Sequence, residues 1–332
     1  MKVAVVGGGS WATAIIKILS DKYHDNGVKL IWWLRNPENI EYIKKHRHNP
    51  NYINSVTVPT EKIELSSDFE WVINEADIII TAIPSAFVYD AFKDLPKTAL
   101  KGKIMVSAVK GVVPQTHQVL NDYFRQQFDI PEKKIVVIAG PCHAEEVALE
   151  KLSYLTIAGA SKKNAQLLAD MLSVRYIKTT VSKDIVGVEY ASILKNIYAI
   201  AAGICHGLGY GDNFQAVLIT NAMEEMKNFL DHVGNRDRHI EQSPYLGDLL
   251  VTAYSQFSRN RTFGNMIGKG YSVKTAQLEM SMVAEGYYAT LSMYEICKEL
   301  DYKMPLLNTI YRILYEKKAA GPEMRKLAES FI

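Results

Sequence analysis

Lys195 stands in an otherwise apolar helical run, Ala191 to Ala202, flanked by Ile193, Leu194, Ile197 and Ile200. Such a lysine is either a snorkelling face residue or a functional amine. Desolvation and a nearby positive charge lower a lysine's pKa toward neutrality, which a general base needs. Asp248 lies in a second apolar run, Leu246 to Thr252, and a carboxylate buried there needs a partner that a lysine would provide. Ser258-Arg259-Asn260-Arg261 follows; it offers a planar cationic fork and an amide suited to clamping a phosphate, or it is a basic surface turn. Lys110, in Ala108-Val109-Lys110-Gly111, is either a cation aimed into a ligand site at a strand end or a solvated loop charge. Gly140-Pro141-Cys142-His143-Ala144-Glu145 reads as a strand-to-helix turn with free amides, or as a plain turn.

These groups need a scaffold, and the first twenty residues announce one. Lys2-Val3-Ala4-Val5-Val6 breaks into Gly7-Gly8-Gly9-Ser10-Trp11-Ala12 and continues as a helix with Trp11, Ala14, Ile15, Ile18 and Leu19 on one face. Gly7 can take a tight turn, Gly9 admits close approach of a pyrophosphate, and Ala12 allows close helix–strand packing. Amides at the new helix's N-terminus would face the phosphates. This is a dinucleotide-binding pattern. An acidic residue normally grips the ribose 2′-hydroxyl about 20 residues further on, but Arg35 occupies that place in Trp32-Trp33-Leu34-Arg35-Asn36-Pro37. The arginine could meet a 2′-phosphate, stack on adenine, or be a solvated strand-end charge; the pattern favours NADP(H), with NAD(H) tolerated.

Strand-like runs at 28–34, 78–82, 104–107 and 135–139, with weaker ones at 156–158 and 177–180, alternate with helical patterns. A parallel sheet with crossover helices is expected. After Asp184 helical patterns take over at 188–205, 214–233, 283–300 and 306–317. The expectation is a doubly wound α/β domain of the Rossmann type over 1–183, an all-α catalytic domain over 184–332, and an active site in the cleft between them. A net charge of +2 without a basic block gives no reason to expect nucleic acid or insertion into a membrane. Three widely separated cysteines, none in C-x-x-C spacing, indicate no structural zinc or other metal and a reducing compartment, with the cytoplasm as the default. A homodimer is the expected assembly for such a chain.

Taken together, Gly7 to Trp11, Lys110-Gly111, Gly140-Pro141, Lys195-Asn196, Gly207 to Asn213, Leu246 to Leu249, Ser258 to Arg261 and Glu285-Gly286 resemble the NAD(P)-dependent glycerol-3-phosphate dehydrogenases of the bacterial type, over nearly the whole chain. The resemblance implies a second domain like the C-terminal domain of 6-phosphogluconate dehydrogenase. It also implies reversible reduction of dihydroxyacetone phosphate to sn-glycerol 3-phosphate for phospholipid synthesis. Lys195 would be the proton acceptor, and Ser10, Trp11 and Arg35 would touch the cofactor. Lys110 would lie where cofactor and substrate meet, Gly140 and Cys142 would border the substrate, and Ala144 the cofactor. Asp248, Ser258, Arg259 and Asn260 would complete the substrate pocket, with Arg259, Val283 and Glu285 also reaching the cofactor. Cys142-His143 stands where the family usually has a hydroxyl residue and phenylalanine. Two rivals remain: a related reductase of a hydroxy acid or sugar acid, with no demand for a terminal phosphate, and a nicotinamide-sensing module without turnover.

Overall fold

The computed structural model describes residues 1–23, 27–234, 236–280 and 284–331. The chain divides into two compact units, one made of Met1–Val109 with Leu120–Ile185 and the other of Lys110–Val119 with Val186–Ile332.

The first unit is built on β1 (Lys2–Val6), β2 (Lys29–Trp33), β3 (Ile63–Ser66), β4 (Ile78–Thr81), β5 (Ile104–Ser107), β6 (Ile135–Ala139), β7 (Ser153–Gly159) and β8 (Ile177–Ser182). They form one sheet in the order β3-β2-β1-β4-β5-β6-β7-β8, so the strand order reverses at β1, as in doubly wound dinucleotide-binding folds. Its helices are α1 (Ser10–Lys22), α2 (Pro37–His46), α3 (Phe69–Glu75), α4 (Val88–Phe92), α5 (Leu120–Phe128), α6 (Ala144–Ala148) and α7 (Lys162–Leu172). Strands covered on both faces must be apolar throughout; Val3 to Val6, Ile78 to Ile80 and Ile135 to Ala139 are accordingly buried.

The sheet is not wholly parallel, contrary to the expectation from alternation. β7 runs antiparallel to β6, with Val136 opposite Gly159 and Ala139 opposite Thr156. The cause is the connection: α6 has five residues and rises only about 7.5 Å. The seven residues of β7 span about 23 Å, so α6 cannot carry the chain back to the far end of the sheet. A further strand, β3, escapes the hydrophobic pattern because only Ile63 of its four residues is buried, as suits a short edge strand.

The second unit comprises α8 (Ile185–Gly207), α9 (Asp212–Val233), α10 (Asp248–Tyr254), α11 (Arg259–Gly268), α12 (Val273–Glu279), α13 (Glu285–Glu299), α14 (Pro305–Leu314) and α15 (Ala320–Glu329). It also takes in Lys110–Val119, which leaves the sheet after β5 and closes on itself by a bridge between Val113 and Gln118. Val112, Val113 and Val119 are buried, which fixes this detour in place. A single cut after residue 183 therefore misassigns ten residues that the chain delivers early. α8 is long and apolar enough to cross a membrane by length and composition, yet 89% of its most apolar window is buried within the protein.

α8 and α11 touch backbone to backbone. Glycines four apart face each other, Gly203 and Gly207 on α8, Gly264 and Gly268 on α11. A Cβ on Gly203 would lie 2.1 Å from the Arg261 carbonyl oxygen, and one on Gly264 would lie 2.1 Å from that of Ile200. Gly207 and Gly268 leave as little room, at 2.4 Å from the Asn265 oxygen and 2.3 Å from the Ile204 oxygen. On α13, Gly286 approaches the Asn196 oxygen in the same way, at 2.6 Å for its missing Cβ. Elsewhere in the unit a carboxylate does the joining. Glu225, in mid-α9, accepts the Leu306 and Leu307 amides of the first turn of α14 at 2.7 and 3.1 Å, and the Tyr198 hydroxyl at 3.2 Å. Burial pushes the Glu225 carboxyl up to about 7, against the pull of those three donors.

Candidate active site

The second unit brings together residues far apart in sequence. Lys195, midway along α8, is 3% exposed, and its Nζ donates to Asp248 Oδ1. Asp248 begins α10 and is 1% exposed. Its other oxygen, Oδ2, lies 3.6 Å from Lys110 Nζ. Lys110 reaches this point because the Asn196 side-chain amide, next to Lys195 on α8, donates to the Lys110 carbonyl at 2.8 Å. Thr252, one turn along α10, donates its hydroxyl to the Asp248 carbonyl at 2.6 Å.

Two ammonium groups thus share one carboxylate. Burial pushes the Lys195 ammonium well below the ordinary lysine range. Asp248 opposes this shift, and the Lys110 charge adds to it. Lys110, whose side chain is 20% exposed, keeps part of its hydration. The arrangement can hold a proton on Lys195, release it near neutrality, and leave a compensating positive charge at Lys110. Neither snorkelling at Lys195 nor a solvated loop charge at Lys110 describes this geometry.

α11 begins beside this group in the same unit. Ser258 is its N-cap, its hydroxyl oxygen accepting the Arg261 amide at 3.3 Å. Arg259 is the first helical residue, half-buried, and has no carboxylate partner among the described residues. Asn260 is buried, and its Oδ1 accepts the Gly286 amide at 2.9 Å; half of its side-chain amide is therefore committed to holding α13. Glu285 is the first residue of α13. Val283 lies outside the described residues.

In the first unit, Gly7 has φ +139°, and a Cβ there would meet the Ala82 oxygen at 2.5 Å. No other residue type fits. Apart from its own chain neighbours, no atom of the described residues lies within 4 Å of where a Cβ on Gly9 would be. Gly9 caps α1 without a side-chain bond, and the first turn contains no acidic residue. An open approach to the uncapped amides of a 13-residue helix fits a dinucleotide pyrophosphate. Ser10 and Ala12 are buried, and half-buried Trp11 packs on the core of this unit.

Arg35 is exposed after β2, its guanidinium 5.8 Å from the centre of the Phe87 ring. Phe87 does not stand out in the sequence, although an aromatic residue just past a strand of the switch-point half is a signal to follow. Gly140 has φ +116°, and a Cβ there would lie 2.8 Å from the Tyr154 oxygen, so the antiparallel β7 alone demands glycine at this place. Cys142 and Ala144 are each 8% exposed. Asn196 stands in the sequence only as the neighbour of Lys195, and its task, holding the Lys110 carbonyl, shows only where the fold brings that backbone near.

Known glycerol-3-phosphate dehydrogenases match this chain over nearly its whole length. Residues 2–165 match the family model described as NAD-dependent glycerol-3-phosphate dehydrogenase N-terminus, and residues 184–324 match the corresponding C-terminus. The chain is 33% identical over 326 residues to a glycerol-3-phosphate dehydrogenase [NAD(P)+] of an Exiguobacterium strain, covering 98% of this chain and 94% of that one. Against the protein of the same name from Bacillus subtilis it is 33% identical over 334 residues, covering 100% and 94%. The crystal structure of glycerol-3-phosphate dehydrogenase from Coxiella burnetii superimposes with a TM-score of 0.90 at 26% identity, covering 99% of this chain and 98% of that one.

Proposed function

Because the chain belongs to the NAD-dependent glycerol-3-phosphate dehydrogenase family, we propose that it reduces dihydroxyacetone phosphate reversibly to sn-glycerol 3-phosphate with NAD(P)H. The observation that carries the residue assignment is the Lys195–Asp248–Lys110 cluster. The nicotinamide, when bound, supplies or takes the hydride. In the reducing direction the Lys195 ammonium hydrogen-bonds the C2 oxygen, stabilises the charge developing on it and gives up its proton. In the oxidising direction the neutral amine removes that proton from the C2 hydroxyl. Asp248 orients the amine, and Lys110 lowers its proton affinity while polarising the carbonyl. Arg259, with no carboxylate of its own, holds the substrate phosphate together with the remaining capacity of Asn260. Gly140 and Cys142 border the substrate in this reading.

For the cofactor, Gly7, Gly9, Ser10, Trp11 and Ala12 form the dinucleotide turn, with Ala144, Arg259, Glu285 and Val283 as further contacts. Arg35 has no carboxylate partner among the described residues, which supports NADP(H) as the preferred coenzyme and Phe87 as a platform beside it. The product supplies the phosphorylated glycerol backbone of phospholipids, and a homodimer in the reducing cytoplasm is the proposed setting. The three cysteines are buried and form no disulfide among the described residues, as is usual in that compartment.

The test is the rate of NADPH oxidation with dihydroxyacetone phosphate, then with unphosphorylated dihydroxyacetone, each repeated with NADH. Turnover that needs the phosphate is expected, with NADPH the better donor. Equal rates on both ketones would remove Arg259 from its role, and no turnover on either would leave the fold with another substrate.

Lys110→Met separates charge from packing. With the neighbouring cation gone, the proton affinity of Lys195 rises, so the pH profile of glycerol 3-phosphate oxidation moves to higher pH. At neutral pH the rate falls by roughly tenfold or more, as for loss of one electrostatic contact to the reacting oxygen. An unshifted profile would show that Lys110 does not set the Lys195 pKa.

A further inference from the structure

The carbonyl groups of the glycine turn are all tied back into the first unit by side chains. Trp32 Nε1, fully buried on β2, donates to the Gly7 oxygen at 2.6 Å. Asn49 Nδ2 donates to the Gly8 oxygen at 3.0 Å. The Thr13 hydroxyl donates to the Gly9 oxygen at 3.0 Å and itself accepts from Asn49 Nδ2 at 2.9 Å. Asn49 is 1% exposed and uses both ends of its amide, since Oδ1 accepts the Asn51 and Tyr52 amides at 3.0 and 3.2 Å. It sits just past α2, after Arg47 turns the chain with φ 59°.

The trans peptide turns this into a statement about donors. Each C=O points opposite to the N–H of the same planar unit, and the chain has no cis bond among the described residues. Holding the carbonyls of Gly7, Gly8 and Gly9 inward therefore turns the amides of Gly8, Gly9 and Ser10 outward. Those amides have no protein acceptor among the described residues. A free glycine turn could rotate its peptides and present an oxygen to an anion instead, because glycine has few steric limits.

We infer that Asn49, acting with Thr13 and Trp32, is a positioning residue for the cofactor: it locks the peptide planes of the glycine turn so that their amides face the pyrophosphate. This rests on the reading of that turn as the dinucleotide site. Asn49 joins two neighbouring peptide units at once, directly at Gly8 and through Thr13 at Gly9. Only a side chain with two donors and an acceptor at this depth can also hold its own loop.

Asn49→Asp is the discriminating variant, because the carboxylate keeps the acceptor for Asn51 and Tyr52 and loses both donors. The dissociation constant and KM for NADPH are expected to rise by at least about tenfold, the scale of one buried hydrogen bond left unmade. KM for dihydroxyacetone phosphate, kcat at saturating NADPH, and the affinity for adenosine 2′-monophosphate, which has no pyrophosphate, are expected to stay within about twofold of the parent. A residue that merely shaped its own loop would tolerate the Asn49→Asp change with NADPH affinity intact, and a general disturbance of the unit would weaken both nucleotides together; either result overturns the proposal. Should Asn49→Asp not fold, Thr13→Val decides, with a rise of about threefold expected for NADPH alone and no rise overturning it. Gly9→Asp guards the premise, since a carboxylate in the turn must abolish NADPH binding. If Gly9→Asp binds NADPH normally, the dinucleotide reading of the turn has failed rather than the role of Asn49.

Discussion

Alanine in place of Lys195 lowers turnover of dihydroxyacetone phosphate at saturating NADPH by at least about a hundredfold, the usual scale for loss of acid–base catalysis. The dissociation constant for NADPH, measured by quenching of protein fluorescence, changes by less than about twofold. The reason for this split lies in where the amine is held. Lys195 is bonded to Asp248 in the helical unit, whereas the glycine turn belongs to the sheet unit. Removing the amine takes away the proton donor and leaves Asp248 with its second cation, Lys110, still 3.6 Å away, so the site stays charge-compensated and folded. Arginine cannot substitute, because a guanidinium does not release its proton in this pH range and is larger than the nearly solvent-free space it would enter. Near-parental turnover in the alanine variant would remove Lys195 from the chemistry.

The second large effect is on stability, and it comes from adding one methyl group. Gly203→Ala places a carbon 2.1 Å from the Arg261 oxygen and 2.8 Å from the Asn265 amide nitrogen. Both obstacles are backbone of α11, so no rotamer change relieves the overlap and the two helices must part. Overpacking of a close-packed interior costs typically 1–3 kcal/mol and more where backbone must move; about 3 kcal/mol lowers the melting temperature of a unit this size by roughly 6–12 °C. Activity falls as well, because the displaced helix starts with Arg259 and Asn260 while α8 carries Lys195. Alanine is the better helix former in isolation, so an unchanged melting temperature would mean that the seam does not hold the helices at this spacing. Gly209→Ala is the matched control for a nearby glycine with no neighbour at its missing Cβ; its strain comes only from φ +82°.

The strands around β1 are legible in the sequence because a sheet covered on both faces must be apolar and because Gly7 and Gly9 mark where it gives way to α1. The chemistry is legible residue by residue, since Lys195 and Asp248 are expensive in apolar runs unless they find each other. That Asp248 needs a lysine is legible too; that Lys195 and Lys110 share its two oxygens is not, as it depends on a fold that brings α8, α10 and the segment after β5 together. The turn in strand direction at β7 leaves no mark in composition, because antiparallel and parallel strands look alike when both are buried; the shortness of α6 is the clue. Asn49 and Glu225 are hidden for a related reason. A polar residue that satisfies distant backbone looks, in sequence, like any loop asparagine or helix-surface glutamate. The glycines of α8 and α11 read as weak points in helices, and only the facing helix shows what their missing side chains make room for.

The detour of Lys110–Val119 has a consequence for how the chain is made. Lys110 leaves the ribosome 86 residues before Asn196, the residue that holds its carbonyl, and at the usual pace of elongation that interval lasts on the order of ten seconds. During that time the nascent sheet unit has a looped-out segment whose valines, buried in the finished protein, are made before the rest of the unit to which they belong. A chain halted before Val186 would be left in that condition permanently. The lysine pair around Asp248 is thus assembled late, from a piece synthesised early, and the growing chain depends during the wait on whatever in the cell shields short apolar loops.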